Sequence, residues 1–296
     1  MDMRRSEQRQ IEQLVRAHEV TEGAGVTVHR TLGTPARRHL DPFLMLDHFS
    51  SDDPDDYIAG FPDHPHRGFV TLTYMLDGHM LHRDSMGNEG DLRSGGAQWM
   101  KAASGVIHSE MPRQTDGLMR GFQLWINLPA AHKLDDPAYQ DIAPEAIPES
   151  ADGGVRVRVL AGEHAGVRGP VDDPLTRLLY LDATLVPGAR FEHSGDADAG
   201  RAAFLYVFEG DAAIAGQSVP RHHFAVLGRG GRLEVTAGDA GARFILVAGR
   251  PINEPIVQYG PFVMNTREEI EQAMADYRDG RLVRRRAQAG GTPGIS

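Results

Sequence analysis

The chain has 296 residues, with 41 acidic and 31 basic side chains and a formal net charge of −10. At ~150 residues per domain this length suggests about two domains, and the acidic balance argues against a nucleic-acid-coating protein or one that adheres to anionic membranes. Cysteine is absent, which excludes disulfides, Fe–S clusters, thiolate zinc and Cys nucleophiles.

No apolar run approaches the ~20 residues that span a bilayer. The opening MDMRRSEQRQIEQ has no apolar leader core, so a cytoplasmic protein is expected. Residues 1–24 read as an N-terminal arm. Within it Ile11, Leu14, Val15 and His18 fit a helical stripe, although an extended arm is equally compatible.

From residue 25 the texture becomes β. GVTVHRT (25–31), PFLML (42–46), GFVTLTYML (68–76) and GFQLWINL (121–128) are short apolar runs bounded by Gly, Pro or Asp. VRVRVL (155–160), RLLYLDATLV (177–186), AAFLYVF (202–208), HFAVL (223–227), RLEVT (232–236) and RFILVAG (243–249) continue the series. Many short strands at this spacing indicate an all-β protein of sandwich or barrel domains. Pro137, Pro144 and Pro148 mark residues 136–154 as a linker between domains at 25–135 and 155–280. One helix is expected at 266–280, where Thr266 and Glu269 fit a capping box and Gly280 a stop. Residues 281–296, with Arg281, Arg284, Arg285 and Arg286, read as a flexible, solvated tail.

Two segments carry chemistry: GFPDHPHRGF, with His64 and His66, and GVIHSEMP, with His108 and Glu110. Strand residues i and i+2 share a face. Two neighbouring strands could therefore aim four ligands at one point. Val70, Leu72, Tyr74 and Leu76 share the parity of His64 and His66, and Val106 that of His108, so the ligand face is expected to be the core-facing one. Three imidazoles and a carboxylate in an apolar interior call for a divalent cation. The donors suit Fe(II), Mn, Co, Ni, Cu or Zn, with a closed structural zinc site as one alternative. Spacing alone also leaves open a polar loop cluster.

These segments resemble the pirin family of the cupin superfamily. LDPFLMLDHF (40–49), FPDHPHRGFVTLTYMLDG (61–78), GGAQWMKAASGVIHSEMP (95–112), GFQLWINLP (121–129) and GPFVMNTREEI (260–270) carry the likeness across about residues 25–280. The resemblance implies a bicupin: two β-sandwich (jelly-roll) domains facing each other, followed by a short C-terminal helix. It also implies Fe(II) in the N-terminal domain, held by His64, His66, His108 and Glu110, and a metal-free C-terminal domain. Val70 stands where many relatives have Glu, which puts any supporting role of that position in doubt.

Among other residues, His82 falls near the pocket by the same resemblance, although an exposed strand or turn position is the commoner reading for such a residue. Tyr74, Trp99 and Met100 are candidate pocket walls, although core packing is the commoner role for such residues. His193 stands alone in the second half, and the adjacent His222 and His223 should face opposite ways. Ser109 should point away from the ligands.

Some pirins are similar to quercetin 2,3-dioxygenases, which open flavonol rings with O2. The first expectation is therefore an Fe(II) oxygenase of a small aromatic, flavonol-like substrate, with Glu110 as general base. The second is an iron-dependent redox-sensing regulator that binds a protein partner such as a transcription factor or metabolic enzyme. A metal-stabilised β protein without catalysis is the third. An apolar, open pocket at the ligands would favour the enzyme.

Overall fold

The structure is a computed structural model that describes residues 8–194 and 200–284. The expected all-β architecture is present: two β-sandwich units pack face to face, with one helix near the C-terminal end. Among the described residues no helix is long and apolar enough to cross a membrane. Residues 1–7 of the expected arm, and Arg285 and Arg286 of the Arg-rich tail, lie outside the described residues.

The N-terminal unit pairs a larger and a smaller sheet. The larger runs in the order Ala138–Ile142, Ala97–Lys101, Phe69–Asp77, Met119–Asn127, Phe43–Ser51, Val26–Leu32, His18–Glu22. The smaller runs Phe61–His66, Val106–Pro112, His79–Asp84, Glu89–Arg93. Between them Met80 and Leu92 of the smaller sheet meet Val28, Phe49, Met75 and Met119 of the larger. The C-terminal unit is one curled nine-stranded sheet. The runs 232–236 and 243–249 prove to be one strand, Arg232–Gly249, which pairs with Arg190–Ser194 in its first half and Leu179–Leu185 in its second.

The outer face of the larger sheet is not solvated. Val70, Leu72, Tyr74 and Leu76 join Phe122, Leu124 and Ile126 against Tyr180, Phe204, Tyr206, Ile245 and Val247 of the second unit. The two units thus share one core. This sheet is buried on both faces, so its strands read as continuous apolar runs.

The first segment stitches the units together. It is extended rather than helical: Ile11–Arg16 adds to the second unit beside His223–Leu227, and His18–Glu22 adds to the first beside Val26–Leu32. Ile11 and Leu14 pack on the second unit's core, and the backbone finds its hydrogen bonds at a sheet edge. The 136–154 stretch also differs from a plain linker. Ala138–Ile142 is an edge strand of the first unit and Glu149–Asp152 one of the second, with the crossing at Pro144–Ala146 between them.

The helix Arg267–Arg278 has the expected capping box, with Thr266 Oγ1 accepting from the Glu269 N–H at 3.2 Å. It does not stay with the second unit. Arg67, 2 % exposed, donates to Ser104 O (2.6 Å), Asp276 Oδ2 (2.8 Å) and Leu282 O (3.4 Å). The expected tail is therefore docked at its start, with Leu282 buried. Lys133 Nζ adds a second tie, donating to Gly68 O, Asn127 Oδ1 and Val263 O at 2.6–3.0 Å.

Candidate metal centre

His64 and His66 lie on the edge strand of the smaller sheet, and His108 and Glu110 on its neighbour. The strands are antiparallel, with His108 opposite His64 and Val106 opposite His66; a bulge follows, and Glu110 falls opposite Phe61. Val106, His108 and Glu110 are buried, while Ile107 and Ser109 are half-buried, as alternation requires. Ser109 does not join the cluster.

The rings converge. Centroids are 4.7 Å apart for His64–His66, 4.3 Å for His64–His108 and 4.9 Å for His66–His108. One nitrogen from each lies within 4.8 Å of the others. A second set, His82, His108 and Glu110, meets the same condition and shares His108. His82 sits on the far neighbour of the His108 strand, directly opposite Glu110.

Protonation favours ligation. Burial first, and then neighbouring imidazoles, hold His66 and His108 well below the usual histidine range. Both are therefore neutral, the form with a lone pair to give. His64 Nδ1 donates to Pro62 O at 2.8 Å, which leaves Nε2 as its free lone pair. Both ring nitrogens of His66 and Nε2 of His108 are buried without a hydrogen-bond partner. Such orphaned polar atoms are costly unless something binds them. The donor set, the convergence and the orphaned nitrogens fit a first-row divalent ion.

Glu110 is held from across the sandwich. Gln123 Nε2 donates to its Oε1 (3.1 Å) and Oε2 (2.9 Å), and Thr73 Oγ1 donates to Oε1 (3.2 Å). Trp125 Nε1 in turn donates to Gln123 Oε1 at 3.2 Å. The sequence reading missed Gln123 and Thr73. A signal was available for Gln123, an amide flanked by Phe122 and Leu124 in a largely apolar strand; Thr73 shares its strand and face with Thr71 and carries no such mark.

Here the parity argument fails in part. Val70, Leu72, Tyr74 and Leu76 face the second unit, and Phe69, Thr73 and Met75 face the site's side. Arg67 and Gly68 intervene between the two strands and reset the alternation. Gly68 has φ +91°, and a Cβ there would lie 1.9 Å from Val263 O. Tyr74 accordingly is not a pocket wall: its hydroxyl donates to Asp182 Oδ2 and accepts from Arg158, both across the shared core. Trp99 packs on that core too. Met100 turns inward beside Val106 and Tyr139. Val70, in the shared core, points away from the cluster.

A cavity of about 690 Å³ opens beside the rings and is lined by both His64 and His66. Met45, Phe61 and Trp125 give it apolar surface. Arg30 and the buried Asp47 give it a polar wall, joined by hydrogen bonds of 2.7 and 2.6 Å. Burial pushes the Asp47 carboxyl up, and Arg30 opposes that shift. In the second unit, His193 Nδ1 lies 3.1 Å from His164 Nδ1, and His222 packs against His29 and His48 where the units meet.

Residues 25–126 match the pirin family and residues 180–283 the pirin C-terminal cupin domain. This chain belongs to the pirin family. It is 50% identical over 282 residues to a Pseudomonas aeruginosa protein provisionally named quercetin 2,3-dioxygenase, covering 93% of this chain and 98% of that one. It is 43% identical to human pirin over 273 residues, covering 90% and 91%. Among solved structures, a quercetin 2,3-dioxygenase from Acinetobacter baumannii superposes with a TM-score of 0.86 at 32% identity, covering 93% of this chain and 99% of that one. As a pirin, the chain has His/Glu clusters that could hold a metal ion.

Proposed function

We propose that this pirin is a metal-dependent dioxygenase of the quercetin 2,3-dioxygenase type, opening the ring of a flavonol-like substrate with O2. The cavity carries the reading. At about 690 Å³ it falls within the ~300–1,000 Å³ of small-molecule pockets, and it reaches His64 and His66. A redox-sensing regulator needs no such opening at its ligands.

His64, His66, His108 and Glu110 would hold the ion, Fe(II) by family resemblance. When bound, such an ion supplies a Lewis acid with open positions that lowers the pKa of an adjacent enol hydroxyl. The rest is done by the chain. Met45, Phe61 and Trp125 offer flat apolar surface to a fused aromatic ring and exclude water from it. The Arg30–Asp47 pair presents polar atoms to ring hydroxyls. Glu110 is the acceptor for the substrate's hydroxyl proton, and Gln123 and Thr73 orient its carboxylate.

O2 consumption with quercetin tests this directly, using iron-reconstituted protein and a His108→Ala control. Uptake that disappears in the variant is expected. No uptake by protein with iron confirmed bound, or equal uptake by metal-free protein, overturns the proposal.

A further inference from the structure

Four side chains suffice for the reading above, yet a fourth imidazole lies against them. His82 is 2 % exposed. Its Nδ1 lies 3.4 Å from Nδ1 of His108, and its Nε2 lies 3.5 Å from Asp84 Oδ2. That Nε2 has no other partner. Tyr139 stacks on the ring at 4.7 Å with an interplanar angle of 22°, fixing its plane.

The order of donors along this line is dictated at its outer end. The Asp84 side chain is wholly buried and already accepts from the N–H groups of Met86 (2.9 Å) and Asn88 (3.0 Å) and from Asn88 Nδ2 (2.8 Å). An oxygen set surrounded by donors is a carboxylate, an acceptor only. The His82 proton therefore belongs on Nε2, facing Asp84, and Nδ1 is left as an acceptor. An Nδ1–Nδ1 contact holds one proton, so His108 must donate it. His108 then carries its proton on Nδ1 and presents a bare Nε2, the buried atom found without a partner. His64 is set the same way by a different device, its Nδ1 donating to Pro62 O.

We propose that His82, oriented by Asp84, is a positioning residue that locks His108 in its Nδ1–H form and aims Nε2 at the metal centre. The inference rests on the metal-centre reading and adds to it a buried Asp84–His82–His108 line across one face of the smaller sheet. Outer partners of ligating histidines commonly contribute ~10–100-fold in metal affinity. The competing assignment makes His82 itself a ligand, in the set with His108 and Glu110, and the test must separate the two.

Co(II) is the probe, added to the full chain with its affinity and its hyperfine-shifted imidazole N–H signals followed by proton NMR. Wild type should show three such signals, from His64, His66 and His108, with the His108 proton slow to exchange. His82→Leu should keep three, bind Co(II) about 10–100-fold more weakly, and lose the slow exchange. His82→Gln, whose side-chain oxygen can accept, should restore both and guards against simple misfolding. Unchanged affinity and exchange in His82→Leu overturns the inference. Four signals in wild type falling to three in the variant does so as well, because His82 is then a ligand. Wild type that takes up no Co(II) instead defeats the metal-centre reading itself.

Discussion

The Arg67 guanidinium, held between the two His-bearing strands and the rest of the fold, donates to Asp276 Oδ2 at 2.8 Å across 209 residues of chain. Arg67 follows His66 directly. The C-terminal helix therefore clamps the end of the strand that carries two of the four candidate ligands.

Removing the acceptor leaves a buried guanidinium without its carboxylate. Asp276→Ala should cost about 2–3 kcal/mol of stability and weaken metal binding at the same time. Urea unfolding and a Co(II) titration read the two effects. Full metal affinity in a destabilised variant would show that the clamp does not reach His66.

Trp125, Gln123 and Glu110 form a second line of support, from the opposite sheet. Gln123→Leu strips Glu110 of the amide that touches both of its oxygens, and metal affinity should fall about 10-fold or more. Trp125→Phe removes only the N–H that orients the amide. Its effect should be smaller, near 1 kcal/mol. Competition with a chromogenic chelator measures both. Equal effects would mean that ring packing, rather than the indole N–H, is what matters.

Metal should stabilise the folded chain by mass action. At a free concentration of 100 times Kd the gain is about 2.7 kcal/mol, visible as a rise in melting temperature that a chelator reverses. His108→Ala should show no such rise. A rise of the same size in the variant would place the stabilising ion elsewhere.

Acid should weaken the junction of the two units. His29, His48 and His222 meet there with ring centroids 4.5–5.9 Å apart. Burial first, then cationic neighbours including Arg221, lower all three from 6.5, His222 to about 4. Arg16 and Arg120 also face the cluster, and Glu19 is the acid at its edge, 3.6 Å from His29. A folded-state pKa below the unfolded value means that the unfolded chain gains protons first. This stability is thus full above pH 6.5 and is lost as pH falls toward 4. His66 and His108 titrate in the same sense in metal-free protein, so wild type and His222→Asn are compared under identical loading. The urea midpoint should fall less steeply with pH in the variant; an identical slope would remove His222 from the account.

The two candidate pairs, His64–His66 and His108–Glu110, could be picked out because each lies within one strand, where alternation puts both members on one face. Legibility ended at Gly68. A left-handed glycine between two strands resets the register, and a sheet covered on both sides has no polar stripe to reveal it. Tyr74 was therefore placed on the ligand face, whereas its strand turns it toward the second unit. Gln123 was discoverable from its strand, as an amide amid apolar neighbours. His82 was placed near the pocket only by resemblance, since its meaning depends on a neighbouring strand's register. The first segment stayed open between helix and extended arm, and the strands within 136–154 went unseen, for another reason: an edge strand needs a partner more than a pattern, and a short sequence does not reveal the partner.

The path of residues 11–22 bears on how the protein could be divided. One short stretch completes a sheet in each unit, crossing at Ala17. Splitting the gene at the boundary between units would bare the edge of His223–Leu227 and the apolar face between the halves, and trimming the chain to residue 25 would bare the edges of both Val26–Leu32 and His223–Leu227. Bare strand edges invite pairing with other chains. Separately expressed halves should be sticky and poorly folded, and a useful minimal protein must begin before residue 11.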